Sequence, residues 1–258
     1  CAGLQLPEGP IAVSTNLYQL DGQDRLQGSD PQLSWVPQVE HVVLLAEREG
    51  GLYVCLVRTS QGEHQRVDTL DRLPCSQWTL RDAHPEQFTV APAALGTSTL
   101  QPLIAVLRSI QMAGALAKVL EFCVDYANTR VQFGKPIGKF QAIQHMIAEL
   151  ASHAAAAQVA GLYAARMIDA GNPFQAAAVA KTLVGKAAGR AAAIAHQVFG
   201  AIGVTDEHSL HYYTRRLWQW RADAGSEHYW AERLGQQILA RDGAALWSAL
   251  TQPMEQLA

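Results

Sequence analysis

The chain has 258 residues, a formal charge of −3 from 20 Lys+Arg against 23 Asp+Glu, and 49% hydrophobic composition. That is enough to bury one large core or two small ones, and a near-neutral chain lacks the basic surplus that neutralising nucleic-acid phosphates demands. The four cysteines (Cys1, Cys55, Cys75, Cys123) form no CxxC pair, and no apolar run of membrane-span length or basic leader is evident. A zinc site, a disulfide framework, a membrane span and secretion are therefore not expected, and a cytoplasmic location is.

Short strand-like runs come first. PIAVSTNLYQL (10–20) is one. HVVLLAE (41–47) and LYVCLVR (52–58) flank REGG (48–51) and predict a β-hairpin. VDTL (67–70) and QWTL (77–80) are two further strand candidates between Gly, Pro, Asp and Ser. Residues 1–95 thus read as a small antiparallel sheet domain, punctuated at its end by Pro92 and Gly96.

The pattern then turns helical. Ser98 or Thr99 offers an N-cap, Pro102 is tolerated in the first turn, and Leu103, Leu107, Ile110, Gly114 and Ala117 share one stripe of a helix running to about Asn128. GKPIGK (134–139) is a turn by composition. A second helix starts near Phe140, with Ile143, Ile147 and Leu150 at helical spacing, and stops at AGNP (170–173). Asn172 is a cap candidate for a third helix, from about Phe174 to Phe199, which GAIG (200–203) breaks. Two shorter helices, near 206–219 and 226–240, complete residues 96–258. Roughly two in five residues of 151–200 are alanine, a strong helix former whose small side chain lets helices approach closely. The expected fold class is α+β: an antiparallel β-domain followed by an antiparallel bundle of four or five helices.

Chemistry concentrates in RVQFGKPIGKFQAIQH (130–145). Arg130, Gln132 and Phe133 precede a Gly-Pro turn, and Phe140 and Gln141 open the next helix. A guanidinium fork matches phosphate oxygens, and aromatic rings match a planar ligand. A solvated charge at a helix C-terminus is the competing reading of the arginine.

This segment resembles the flavin-binding signature of the acyl-CoA dehydrogenase family, an Arg-x-Gln-Phe-Gly-Lys-Pro-Ile run before a Phe-Gln-x-Ile-Gln helix start. The resemblance implies FAD, with Arg130, Gln132, Phe133, Ile137, Phe140 and Gln141 as cofactor contacts and the arginine reaching the pyrophosphate of a flavin held mainly by a neighbouring subunit. QVFGAIG (197–203) is similar to the family's Gln-x-x-Gly-Gly-x-Gly turn and adds Gln197 and Gly200, with Ala201 replacing the middle glycine. LQGSDPQLSWVP (26–37) resembles the strand whose tryptophan lies against the flavin, so Trp35 takes that role, with Pro37 where Thr or Ser is usual. AGSEHYW (224–230) resembles the Tyr-Glu-Gly-Thr stretch that carries the catalytic glutamate, and adds Ser226.

The implied reaction is α,β-desaturation of an acyl-CoA thioester, in which a carboxylate takes the α-proton while a hydride leaves to the flavin. An ungapped match puts Ala224 at the position of that carboxylate. A one-residue gap puts Asp223 there, making Asp223 the catalytic candidate; Glu227 is a conceivable substitute for that base, with a surface helix face as the favoured reading. The helix from Thr99, where some family members carry the base, holds no acidic residue before Glu121. The family also opens with a helical domain of about 100 residues that has no counterpart in this sequence, so another stretch of protein or another subunit is implied. The resemblance implies an acyl-CoA substrate, a homo- or hetero-oligomer and an acceptor such as an electron-transfer flavoprotein. Two alternatives stand beside a self-sufficient enzyme: a non-catalytic partner subunit, and a scaffold that has lost flavin. Arg215, Arg216 and Arg221 are candidates for CoA phosphates or a solvated helix face. EHSLH (207–211) lacks the second copy a di-metal bundle site needs.

Overall fold

The computed structural model describes residues 3–93, 95–96 and 98–240, and the chain divides into two compact units, Cys1–Leu100 and Gln101–Ala258.

In the first unit seven strands form one sheet: β1 Ile11–Leu20, β2 Leu26–Ser34, β3 His41–Arg48, β4 Gly51–Arg58, β5 Gly62–Arg66, β6 Cys75–Ala83 and β7 Gln87–Val90, in the order β5-β6-β2-β1-β3-β4-β7. The expected hairpin is present, paired without interruption from His41 against Arg58 to Arg48 against Gly51. Its turn residues Glu49 and Gly50 both take positive φ, 52° and 78°, the conformation that matches the twist of paired strands. Tyr18, Leu26, Leu44, Val57, Trp78 and Leu80 fill the core beneath the sheet.

Two expectations are corrected here. The sheet is mixed: β1 and β3 run parallel, because the chain leaves β2 through the short helical turn Val36–Gln38 and lands on the far side of β1. VDTL (67–70) is not a strand. The Thr69 hydroxyl donates to Asp71 Oδ1 at 2.6 Å and the Leu73 N–H to the same oxygen at 3.1 Å, so local side-chain bonds close a turn that outcompetes strand pairing.

In the second unit the described residues form five α-helices: α1 Leu100–Thr129, α2 Gln141–Asp169, α3 Pro173–Phe199, α4 Leu210–Ala222 and α5 Glu227–Leu239. Alanines carry the α2–α3 packing: Ala154 and Ala157 share a core with Ala187, Ala188 and Ala191, and small side chains let backbones close in. Pro173 starts α3 at its first turn. Asn172 holds the cap position without making the bond; its amide donates back to Ala170 O at 3.3 Å.

Helix α1 departs from its expected face. Its buried stripe runs through Val106, Ser109, Met112, Leu116 and Val119, while Leu107 and Ile110 are 55% and 40% exposed. The helix is apolar almost all round, so periodicity does not select the inward side. By length and composition alone it is long and apolar enough to cross a membrane, with a mean hydropathy of 1.6 over its most apolar window, 44% of which is buried within the protein.

Candidate functional site

At the C-terminal end of α1 the chain reverses in a two-stranded hairpin, β8 Val131–Gln132 and β9 Lys135–Pro136. Phe133 and Gly134 are its central residues, with φ of 52° and 78°. Ile137 anchors the hairpin: its side chain is buried and its N–H donates to Arg130 O at 2.9 Å. Arg130, Gln132 and Phe133 project to solvent, Phe133 with 90% of its surface exposed. A bulky aromatic in the left-handed region costs conformational energy, and its exposure forgoes the burial that would offset that cost. Phe140 meets Phe133 edge-on at 6.1 Å between ring centroids, and Lys135 Nζ lies 4.5 Å over the Phe140 ring.

The end of α3 reaches the same end of the bundle, because Tyr126 of α1 stacks on Phe199 at 4.3 Å. Gln197 and Gly200 there are exposed. Gly200 has φ 63°, and nothing lies within 4 Å of where a Cβ would point. Arg130, Gln132, Phe133, Phe140, Gln141, Gln197 and Gly200 thus share one end of the helical unit. They offer a free cation, amide donors, ring surfaces and open backbone, a donor set that fits the diphosphate and rings of a dinucleotide.

The remaining candidates in this unit lie at the opposite end. From Arg108 to Thr129, α1 rises about 30 Å at about 1.5 Å per residue. Beside Arg108 are the C-terminus of α4 and the N-terminus of α5. Asp223 Oδ2 lies 3.0 Å from Arg108 Nε, the two side chains 17% and 16% exposed, and Asp223 Oδ1 accepts from Gln219 Nε2 at 2.8 Å. The Arg108 guanidinium also lies 5.5 Å from the Trp220 ring centroid. Ala224 and Gly225 have φ of 54° and 96°, turning the chain so that Ser226 caps α5 and accepts the Tyr229 N–H at 3.2 Å.

Glu227 is not on a solvated face, as expected from sequence. It is 17% exposed and bound to Arg221. Burial works against its charge, but Arg221's hydrogen bond and charge hold the carboxyl below the usual range. Gly185 and Gly189 of α3 make room for this pair: a Cβ there would lie 2.7 Å from Glu227 Cβ and 2.7 Å from Arg221 Nη1. Arg221 is therefore committed within the fold rather than free for a phosphate.

Sequence reasoning missed Lys181. It is fully buried in α3 and donates to the carbonyls of Trp220 at 2.7 Å, Arg221 at 3.0 Å and Asp223 at 2.8 Å. Burial pulls its amine down to about 8. One lysine in an alanine-rich helix carries no motif that would have flagged it.

Trp35 belongs to the sheet unit. It is 42% exposed, with φ 68° and ψ −8°, and its N–H donates to Pro74 O at 2.8 Å. Like Phe133, it is an exposed aromatic held in the left-handed region.

Comparison with known proteins bears on the family and the fold. The family description "Acyl-CoA dehydrogenase, C-terminal domain" matches residues 105–239. Acyl-CoA dehydrogenase FadE34 of Mycobacterium tuberculosis is 38% identical over 138 residues, 52% of this chain and 19% of that protein. Acyl-CoA dehydrogenase IpdE2 of the same organism is 35% identical over 154 residues, 55% of this chain and 47% of that protein. The chain thus matches less than half the length of these relatives. Among solved structures, the ChsE4-ChsE5 complex of M. tuberculosis superposes with a TM-score of 0.82 at 22% identity, over 90% of this chain and 67% of that one. With the match covering more than half of its length, the chain belongs to the acyl-CoA dehydrogenase family, whose members are flavoprotein oxidoreductases.

Proposed function

We propose that this chain is a subunit of an FAD-dependent acyl-CoA dehydrogenase that desaturates an acyl-CoA thioester between its α and β carbons. Within a homo- or hetero-oligomer it holds flavin and leaves α-proton removal to a carboxylate of another subunit. The observation that carries this reading is the state of Asp223. A general base needs a carboxylate oxygen free to reach the proton it takes; Asp223 Oδ1 accepts from Gln219 Nε2, and Oδ2 is ion-paired with Arg108 at 3.0 Å, although that Nε–H makes no aligned hydrogen bond.

Bound FAD supplies the hydride-accepting chemistry. Arg130 and Gln132 donate to its diphosphate, Phe133, Phe140 and Ile137 offer apolar surface, and Gln141, Gln197 and Gly200 line the approach. Because about 30 Å of helix separates this group from Ser226, the Arg130 end serves a flavin seated mainly on a neighbouring subunit, and Ser226 serves another. Trp35 is a ring contact from the sheet unit. An electron-transfer flavoprotein is the proposed acceptor.

The second reading, a self-sufficient enzyme with Asp223 as base, draws on the place of Asp223 beside the Gly225-Ser226 turn. The chain co-purified with a companion acyl-CoA dehydrogenase subunit separates the two. Flavin absorbance near roughly 450 nm, a property of the cofactor, is expected in that complex, and Asp223→Asn is expected to keep its desaturase activity. Activity abolished by Asp223→Asn at full flavin content would establish the self-sufficient reading, and a colourless complex would leave only a scaffold without flavin.

A further inference from the structure

We infer that Lys181 is a positioning residue, whose buried ammonium holds the chain turn 223–226 so that the Ser226 hydroxyl faces outward as a hydrogen-bond donor to bound flavin. The inference rests on the flavin-holding role proposed above. The last carbonyls of an α-helix have no partner within the helix. In α4 three of its closing carbonyls, those of Trp220, Arg221 and the flanking Asp223, converge on one Nζ at 2.7–3.0 Å. An ammonium has three donors and no acceptor, so this site uses all of its bonding capacity, and its charge opposes the negative end of the helix dipole.

Such a burial is costly, since a charged amine surrounded by alanine loses its hydration. Asp223 and Glu227 favour its charge, while Arg108 and Arg221 oppose it. An apolar side chain would fill the same volume without that cost but would leave three carbonyls unpartnered. What the lysine secures is the path of the next residues. Beyond Asp223 the Ala224 carbonyl is taken by Trp230 Nε1 at 2.9 Å, and Ser226 Oγ accepts the Tyr229 N–H. The Ser226 oxygen is thus occupied as an acceptor, and its hydrogen is left to donate outward. Lys181 on one side and Trp230 on the other clamp the turn.

The test uses the co-purified complex carrying wild type, Lys181→Met, Ser226→Ala and the double variant, with Lys181→Gln as a milder change should Lys181→Met not fold. Two readouts are taken: the flavin absorbance spectrum, and amide exchange across residues 222–230. Lys181→Met is expected to speed exchange there by at least tenfold while α2 stays protected, to shift the flavin spectrum as Ser226→Ala does, and to add nothing in the double variant. Exchange and spectrum at wild-type values in the lysine variant, or additive spectral shifts, would overturn the inference. If the wild-type complex carries no flavin, the functional reading fails, while the exchange readout still reports whether Lys181 holds the turn.

Discussion

Arg108 and Asp223, far apart in sequence, meet with Nε 3.0 Å from Oδ2 and with both side chains more than four-fifths buried. The contact joins α1 to the end of α4. It places a guanidinium against the carboxylate that the family resemblance offered as a catalytic base.

The first prediction follows from that burial. Removing one member of a buried ion pair strands the other charge, at a cost of about 3–5 kcal/mol when the pair is fully enclosed. With residual exposure here, Asp223→Ala is expected to lose about 2–3 kcal/mol in urea denaturation. The combined change Arg108→Met with Asp223→Leu should recover most of that loss. Equal destabilisation by the pair of changes and by the single one would remove the ion pair as the cause.

Arg130→Ala tests the opposite end of the bundle. The side chain is exposed, so the flavin-free melting temperature should be unchanged. Charge-assisted hydrogen bonds of this kind contribute about 1.5–3 kcal/mol, so flavin affinity of the oligomer should fall about 10- to 100-fold. Flavin content measured after dialysis reads this directly, and full retention would sink the assignment.

Phe133 is expected to show a trade between stability and binding. Its left-handed backbone is strained for a bulky side chain, and asparagine tolerates that region. Phe133→Asn should therefore stabilise the flavin-free protein by up to about 1 kcal/mol while weakening flavin retention. A variant that loses stability without any change in flavin content would contradict both halves.

The pH dependence is set by His196 and His208, whose rings burial pushes below the ordinary histidine value, with His211 adding to the shift at His208. Below the unfolded value of about 6.5 the unfolded chain takes up protons that the folded chain resists. The contribution of these two rings is therefore level above about 6.5 and falls as pH drops below it. Thermal melts between about pH 5 and 8 should show that slope, and His196→Gln should reduce it.

Much of this architecture is legible in the sequence, because its signals are local. The hairpin 41–58 shows itself through Gly-Gly between apolar runs, the helix boundaries through Pro173 and Gly200, and the Arg130 segment through a motif that survives without its neighbours. What local signals do not carry is which side of an element faces inward. Helix α1 is apolar on nearly every side, so Leu107 and Ile110 look as suited to the core as Met112 and Leu116, and only packing against α2 and α3 separates them. The parallel pairing of β1 with β3 depends on where a short crossover lands, which no strand pattern encodes.

The sequence by itself determined the 41–58 hairpin, the order of the helices, the alanine-built bundle and the Arg-Gln-Phe hairpin, since each is written in residues that are neighbours along the chain. The tertiary structure alone decided that Asp223 is held by Arg108, that Glu227 is bound to Arg221, that Lys181 closes α4, and that the hairpin and Ser226 lie at opposite ends of one long helix. Those facts depend on charges and distances between residues brought together only when helices far apart in sequence pack.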